Sequence, residues 1–351
     1  MKPQKTVLRY AGGKSRAVKK ITPFVEPYDT IVSPFLGGGS LEVHWASMGK
    51  RVIGSDVFDL LINFWACLLE DRNKVADYMS EIKPTEEEYR LIKEELIQTP
   101  EVQEMLKDWT TDFYKRTPRS IEKFKLAAYY YFNHNCSYGP GFLGWASKLY
   151  MKQEKWDKTI EKIRDFKCPT LEVHRRGFQK AIEQHPTDFL YLDPPYYLQA
   201  DADNKMLGGI YPMKNIPVHH STFDHEKLRD MLLDHEGDFV LSYNNCETIR
   251  DWYSDFELFY PEWHYSMDIG ETRIGKNRKE RTAATCLTEH EILCQHIDDL
   301  GKFYKDNASD EAPLKNIKNA VAALKTIRHD IMKKESHELL IVKRKKDTTN
   351  E

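Results

Sequence analysis

Asp188-Phe189-Leu190-Tyr191-Leu192-Asp193-Pro194-Pro195-Tyr196 is an apolar run of strand length that stops at a carboxylate and turns on two prolines. A carboxylate at the C-terminal end of such a strand lies where open α/β sheets place their ligands. The proline pair fixes an extended turn and removes two N–H donors, which leaves carbonyl oxygens as acceptors. Tyr196 adds a flat face beside them. Two acceptors, the Asp193 side chain and the Pro194 carbonyl, are suited to holding both hydrogens of an aromatic amino group, with the ring stacked on Tyr196. A proline-rich turn with an incidental acid is the plainer alternative.

Outward from that strand, further short apolar runs alternate with longer helical patterns. They are Thr30-Ile31-Val32 running into Pro34-Phe35, Arg51-Val52-Ile53-Gly54, Asp238 to Ser242 and Glu338 to Val342. The alternation predicts a doubly wound, mostly parallel α/β sheet. From about Asp71 to Lys167 charged helices with aromatic clusters take over, until Thr170-Leu171-Glu172-Val173 resumes the strand character. That block reads as a mainly helical insertion. A second atypical stretch, 280–334, is polar and mostly helical, and Lys343-Arg344-Lys345-Lys346 opens a tail expected to fray.

The 351 residues allow one large domain with an insertion, or two domains with real cores. No apolar run reaches about 18 residues, so no membrane span is read. The N-terminus carries no apolar leader core, and the six scattered cysteines form no CxxC pair. Neither a disulfide framework nor a zinc site is expected, and a reducing cytoplasm is the default. A net charge of −3 argues against a non-specific coat on nucleic acid. It leaves room for a local basic face.

Two glycine clusters remain. Ser33-Pro34-Phe35-Leu36-Gly37-Gly38-Gly39-Ser40 follows a strand and precedes a helical pattern, so its backbone can approach a ligand closely. The dinucleotide pattern GxGxxG fails, because Glu42 stands in the third glycine's place. Asp56 ends the next strand, where a carboxylate can accept from ribose hydroxyls. A glycine loop and a surface acid would look the same from sequence. Leu8-Arg9-Tyr10-Ala11-Gly12-Gly13-Lys14-Ser15 ends like a phosphate loop, but Leu8 occupies the position of the required first glycine. What remains is a tight loop with a ring for stacking on an adenine and a cation for pairing with a carboxylate.

In this order the motifs resemble those of the Dam-type adenine-N6 DNA methyltransferases. Tyr10-Ala11-Gly12-Gly13-Lys14 resembles the family's N-terminal cofactor loop, with Tyr10 where many members have Trp. Pro34 to Ser40 resembles its glycine motif, Asp56 its ribose-binding acid, and Asp193-Pro194-Pro195-Tyr196 its catalytic signature. His220-Ser221-Thr222-Phe223 with Leu228, Leu241-Ser242-Tyr243-Asn244 with Trp252-Tyr253, and Glu338 to Ile341 are similar to later blocks. The resemblance implies an S-adenosylmethionine-dependent methyltransferase fold and methyl transfer to N6 of an adenine flipped out of a short duplex site. No metal is implied. Asp193, Pro194 and Tyr196 would be catalytic. Tyr10, Lys14, Phe35, Gly37, Gly39, Asp56 and Asp193 would line the S-adenosylmethionine site.

Residues 1–62 and 168–351 would then form the catalytic domain, and 63–167 would read the DNA target. Within the latter, Tyr129-Tyr130-Tyr131-Phe132-Asn133-His134-Asn135 and Tyr138-Gly139-Pro140-Gly141 resemble a family block. Asn133 and Asn135 are candidates for base edges, although Tyr129 to Tyr131 read better as a buried helix. Arg9, Arg175-Arg176 and Lys276, Arg278 and Lys279 are candidate DNA contacts, the long cations of the 276–281 run for phosphates. The implied partner is double-stranded DNA with a short, palindromic site. A monomer is expected, with a dimer as the alternative, and a cognate restriction endonuclease sharing the site is a further implied partner. The rivals are cytosine-N4 methylation, where Ser-Pro-Pro-Tyr is commoner, RNA adenine methylation, and a DNA-binding module without catalysis.

Overall fold

The computed structural model of the chain describes residues 3–10, 12–105, 119–138, 141–197, 223–261 and 338–344. Two compact units are distinguished, Met1–Leu258 with Leu340–Glu351 and, separately, Phe259–Leu339. The crevice and its surrounding side chains belong to the first. The candidate cations Lys276, Arg278 and Lys279 and the stretch 280–334 lie outside the described residues, as do His220 to Thr222.

The sheet has seven strands: β1 (Thr30–Ser33), β2 (Arg51–Asp56), β3 (Leu171–Arg175), β4 (Leu190–Leu192), β5 (Phe239–Asn244), β6 (Glu257–Phe259) and β7 (Glu338–Lys343). Their order is β3-β2-β1-β4-β5-β7-β6. The pairs β1 with β2, β1 with β4, β2 with β3 and β4 with β5 are parallel. Helices on both faces explain the sequence pattern, because a strand covered on both sides is apolar throughout instead of alternating. All three residues of β4 are buried, and so are the first five of β5.

From β1 the chain builds outward to β2 and β3, then returns past β1 to β4 and β5. The reversal between β1 and β4 creates the crevice in which such sheets bind ligands, at the strands' carboxyl ends. Ser33 ends β1 there, and Asp193 follows β4 directly.

The helices are α1 (Val18–Val25), α2 (Glu42–Ser47), α3 (Asp59–Glu81), α4 (Glu86–Ile97), α5 (Pro100–Met105), α6 (Lys123–Asn135), α7 (Gln153–Arg164), α8 (Phe178–Glu183), α9 (His225–Asp234) and α10 (Glu247–Trp252). Local capping sets several ends. Thr85 accepts from Glu88 N–H at the start of α4, Glu122 from Phe124 and Lys125 N–H at α6, and Asp224 from Lys227 N–H at α9. Within α3, Asp71 leaves helical geometry (φ −152°, ψ 87°). Its carboxylate caps the continuing turn through Asn73 and Lys74 N–H, and unsatisfied amides at a helix restart explain that need. The helical block expected after Asn63 thus grows out of α3, which begins at Asp59. In that block α6 is largely enclosed, with Tyr130, Tyr131 and Phe132 buried. Helix α3 packs along it, and Trp156 of α7 meets the Phe132 ring edge-on.

Candidate active site

Lys14 and Asp193, 179 residues apart in sequence, meet at 2.7 Å. The lysine sits in a loop closed by a hydrogen bond from Gly13 N–H to the Tyr10 carbonyl. Gly12 has φ +72°, the left-handed geometry that the third position of a type II turn requires. Lys14 is 4% exposed, whereas the Asp193 side chain keeps 23% of its surface open. The carboxylate is therefore enclosed yet still reachable from the crevice. Burial raises the Asp193 pKa, and the Lys14 ammonium together with a hydrogen bond from Ser242 offsets only part of that rise. Ser242 lies on β5, in register beyond the Leu192–Leu241 pair.

The segment after Asp193 is held from β5 as well. The Asn244 side chain accepts from Tyr197 N–H and donates to the Tyr197 carbonyl, both at 2.8 Å. This reciprocal clamp fixes the backbone that carries Pro194, Pro195 and Tyr196. The Tyr196 hydroxyl accepts from Lys14 Nζ at 3.5 Å, with that nitrogen 5.4 Å from the ring centroid.

The glycine turn from Pro34 to Leu41 faces the Tyr10 loop. A Cβ on Gly38 would come within 2.4 Å of Tyr10 Cβ, and one on Gly37 within 3.2 Å of its ring. The Tyr10 ring also stacks on His134 at 5.4 Å. Asp56, ending β2, accepts from Gly37 N–H and Phe58 N–H, each at 3.0 Å. Half-buried Phe35 packs with Phe178 and Phe223. Tyr10, Lys14, Gly37, Asp56, Asp193 and Tyr196 thus gather at the carboxyl ends of β1, β2 and β4, with His134 of α6 against the Tyr10 ring.

Residues 10–267 match the family of D12 class N6 adenine-specific DNA methyltransferases. The chain belongs to that family.

No curated protein sequence matches it significantly. A D12 class methyltransferase implies S-adenosylmethionine as methyl donor, and the crevice fits an adenosine-containing group. Gly37 and Gly39 have positive φ (+47° and +59°), and a Cβ there would press on the Tyr10 ring and on Trp65 respectively, so glycine keeps the turn tight beside the Tyr10 loop. Asp56 offers carboxylate lone pairs at the end of β2. The buried Tyr130 hydroxyl has no hydrogen-bond partner among the described residues, and it lies within electrostatic reach of Tyr10 and Asp56.

Three residues expected to meet DNA have internal roles. Asn133 and Asn135 are buried. The Asn133 oxygen accepts from Leu143 N–H at 2.7 Å and that of Asn135 from Arg9 N–H at 2.8 Å. Arg9 lays its guanidinium 3.5 Å from the Tyr150 ring centroid and donates to the Asn135 carbonyl. Asn135 thus fastens the N-terminal loop to α6 and Asn133 the loop that follows α6, and burial of both amides leaves them poorly placed to meet base edges. Open rings stand instead on the loop after α6, where Tyr138 is 65% and Trp145 85% exposed.

Ser33, Glu42, Ser242 and Asn244 join the site although the sequence assigned none of them a role in it. A serine inside an apolar strand and an acid on an otherwise apolar helix, Leu41-Glu42-Val43-His44-Trp45-Ala46, were the signals that could have found them.

Proposed function

We propose that the protein transfers a methyl group from S-adenosylmethionine to N6 of an adenine extruded from a short, palindromic duplex site. The Lys14–Asp193 pair beside the Pro194-Pro195-Tyr196 turn carries this reading. An adenine amino group is a weak nucleophile because its lone pair is delocalised into the ring. Asp193 and the Pro194 carbonyl would accept its two hydrogens and turn the lone pair outward. Bound in the glycine crevice, the cofactor supplies an electrophilic methyl. Lys14 and Ser242 keep Asp193 ionised and fixed, while Asn244 holds the turn against β5. Tyr196 stacks on the base, a contact worth about 1–3 kcal/mol in single-stranded nucleic-acid binding. Asp193, already bonded to N6, receives the proton that N6 loses. Extrusion is needed because a paired N6 inside the stack cannot reach a buried cofactor.

The test is isotope-labelled methyl from S-adenosylmethionine, traced by mass spectrometry of nucleosides from duplex DNA. Label is expected in N6-methyladenine, and Asp193→Ala should lose on the order of 10²–10³-fold in rate, as when one preorganised hydrogen-bonding group is removed. Because the change also removes the buried salt bridge to Lys14, the unfolding temperature should fall, and circular dichroism at the assay temperature checks that the variant is still folded. Label in N4-methylcytosine would overturn the base assignment, and near wild-type turnover by Asp193→Ala would overturn the mechanism.

A further inference from the structure

Glu42, the acid that breaks the glycine pattern, is 3% exposed. The buried Ser33 hydroxyl donates to its carboxylate at 2.8 Å. Ser33 ends β1 and Glu42 opens α2, so this bond closes the base of the glycine turn between them. The backbone N–H groups of Leu41 and of Glu42 itself lie near enough to favour its charged form.

Asp193 is near enough to repel it, and Asp193 in turn binds Lys14 and Ser242. Other charged groups around α2 are turned elsewhere. Asp56 on β2 serves the Gly37 and Phe58 amides, and Glu172 on β3 pairs with Arg51 at the surface. His44, on α2 itself, has a pKa lowered by burial. Among the described residues, the enclosed cluster therefore holds one cation, Lys14, and two carboxyl groups. Burial permits one carboxylate beside one cation and disfavours a second. Asp193, paired with the Lys14 ammonium, is the better placed of the two to carry the charge, and burial with that neighbouring carboxylate pushes the Glu42 pKa up to about 7.

We infer that Glu42 is a charge-balancing positioning residue of the cofactor crevice, partly protonated at rest near neutral pH and fully ionised when a cationic cofactor enters. This rests on the S-adenosylmethionine reading. The reaction requires the methyl to meet the amino group at Asp193, so the sulfonium charge joins the Lys14–Asp193–Glu42 cluster. The proton still held by the Glu42 carboxyl then passes to solvent, and the cluster again balances two positive charges with two negative ones. S-adenosylhomocysteine has no positive sulfur, so in its presence Glu42 keeps its proton.

Calorimetric titration of the full chain with each nucleoside, in buffers of different ionisation enthalpy across pH 6–8.5, counts the protons. With S-adenosylmethionine the wild type should release about half a proton near pH 7 and progressively less above it, as linkage requires when the free-state group is already ionised. Glu42→Gln, which still accepts from Ser33, should lose that release, and its comparison with wild type cancels the ligand's own amino group. Ser33→Ala keeps the acid but removes a donor to its charged form, so release should persist to higher pH. S-adenosylhomocysteine should show no release that depends on Glu42. Equal proton counts for wild type and Glu42→Gln, or for the two nucleosides in wild type, would overturn the inference. Failure of both nucleosides to bind would instead overturn the cofactor reading on which it rests.

Discussion

A lysine that is 4% exposed is stable only with a partner, because an unpaired buried ammonium would lose its proton. Lys14 and Asp193 supply each other's need, and the arrangement makes the acceptor's charge depend on the cation. Lys14→Met removes both the charge and the hydrogen bond that lower the Asp193 pKa, while burial continues to raise it. In the proposed mechanism a protonated Asp193 is a poorer acceptor and cannot take up the N6 proton, so the acid limb of the pH–rate profile should move to higher pH, with activity recovering on the alkaline side. An acid limb identical to wild type would detach Lys14 from the ionisation of Asp193. Tyr196 offers a separate check: its replacement by Phe keeps the stacking ring, whereas Tyr196→Ala removes about 1–3 kcal/mol of base stacking. Equal damage to kcat/KM from both would reject the stacking role. Both members of the ion pair were legible in the sequence as an available cation and a strand-end acid. That the cation would meet a carboxylate was read from its loop, but that the carboxylate is Asp193 was not, because no local pattern links positions so far apart. Ser242 and Glu42 were hidden for a different reason: a buried polar residue is understood only through its partners.

At the scale of elements, the strands were legible where burial on both faces leaves continuous apolar runs, as in β1, β4, β5 and β7. β6 was not, since its three residues lie half-buried or exposed. The helix α6 shows how a sound reading of an element can still mislead about its side chains. Its rings predicted a buried helix, and Tyr130 to Phe132 are buried. With apolar groups around most of the circumference, its amides also turn inward, and no polar face remains to mark an exposed side. Asn135→Ala should therefore lower folding stability by about 1–3 kcal/mol, the cost of a buried donor left unpaired, here Arg9 N–H. Chemical denaturation measures this, and an unchanged midpoint would free Asn135 for another role. In the glycine turn, Gly38→Ala places a methyl 2.4 Å from Tyr10 Cβ. The Tyr10 loop must then shift, at about 1–3 kcal/mol for overpacking, and S-adenosylmethionine affinity should fall with it. Titration calorimetry showing wild-type affinity would mean that Tyr10 can move without consequence for the crevice.

The whole molecule must hold a polyanion while carrying a net charge of −3. Duplex DNA presents one negative charge per about 1.7 Å of axis, so binding requires cations gathered on one face. Arg9 is unsuited to that task, with its guanidinium over Tyr150 and bonded to Asn135. The run Lys276-Asn277-Arg278-Lys279-Glu280-Arg281 is the densest cationic stretch before the C-terminal tail. Its long side chains suit phosphates, which are alike in every sequence. Exposed Trp145 offers area for stacking but no charge. The two contributions separate in a salt series. Replacing Lys276, Arg278 or Lys279 by Ala should weaken specific and scrambled duplexes equally and make the log–log salt slope shallower by about 0.9 for each phosphate left unneutralised. Trp145→Ala should lower affinity at every salt concentration and leave the slope unchanged, because no counterion is released by a neutral ring. Binding of each variant to both duplexes between 50 and 200 mM salt, roughly the range in which such slopes are read, decides the matter. A slope unaffected by all three cationic changes would make the run a solvated segment, and the neutralising face would then have to be sought among the other cations of the chain.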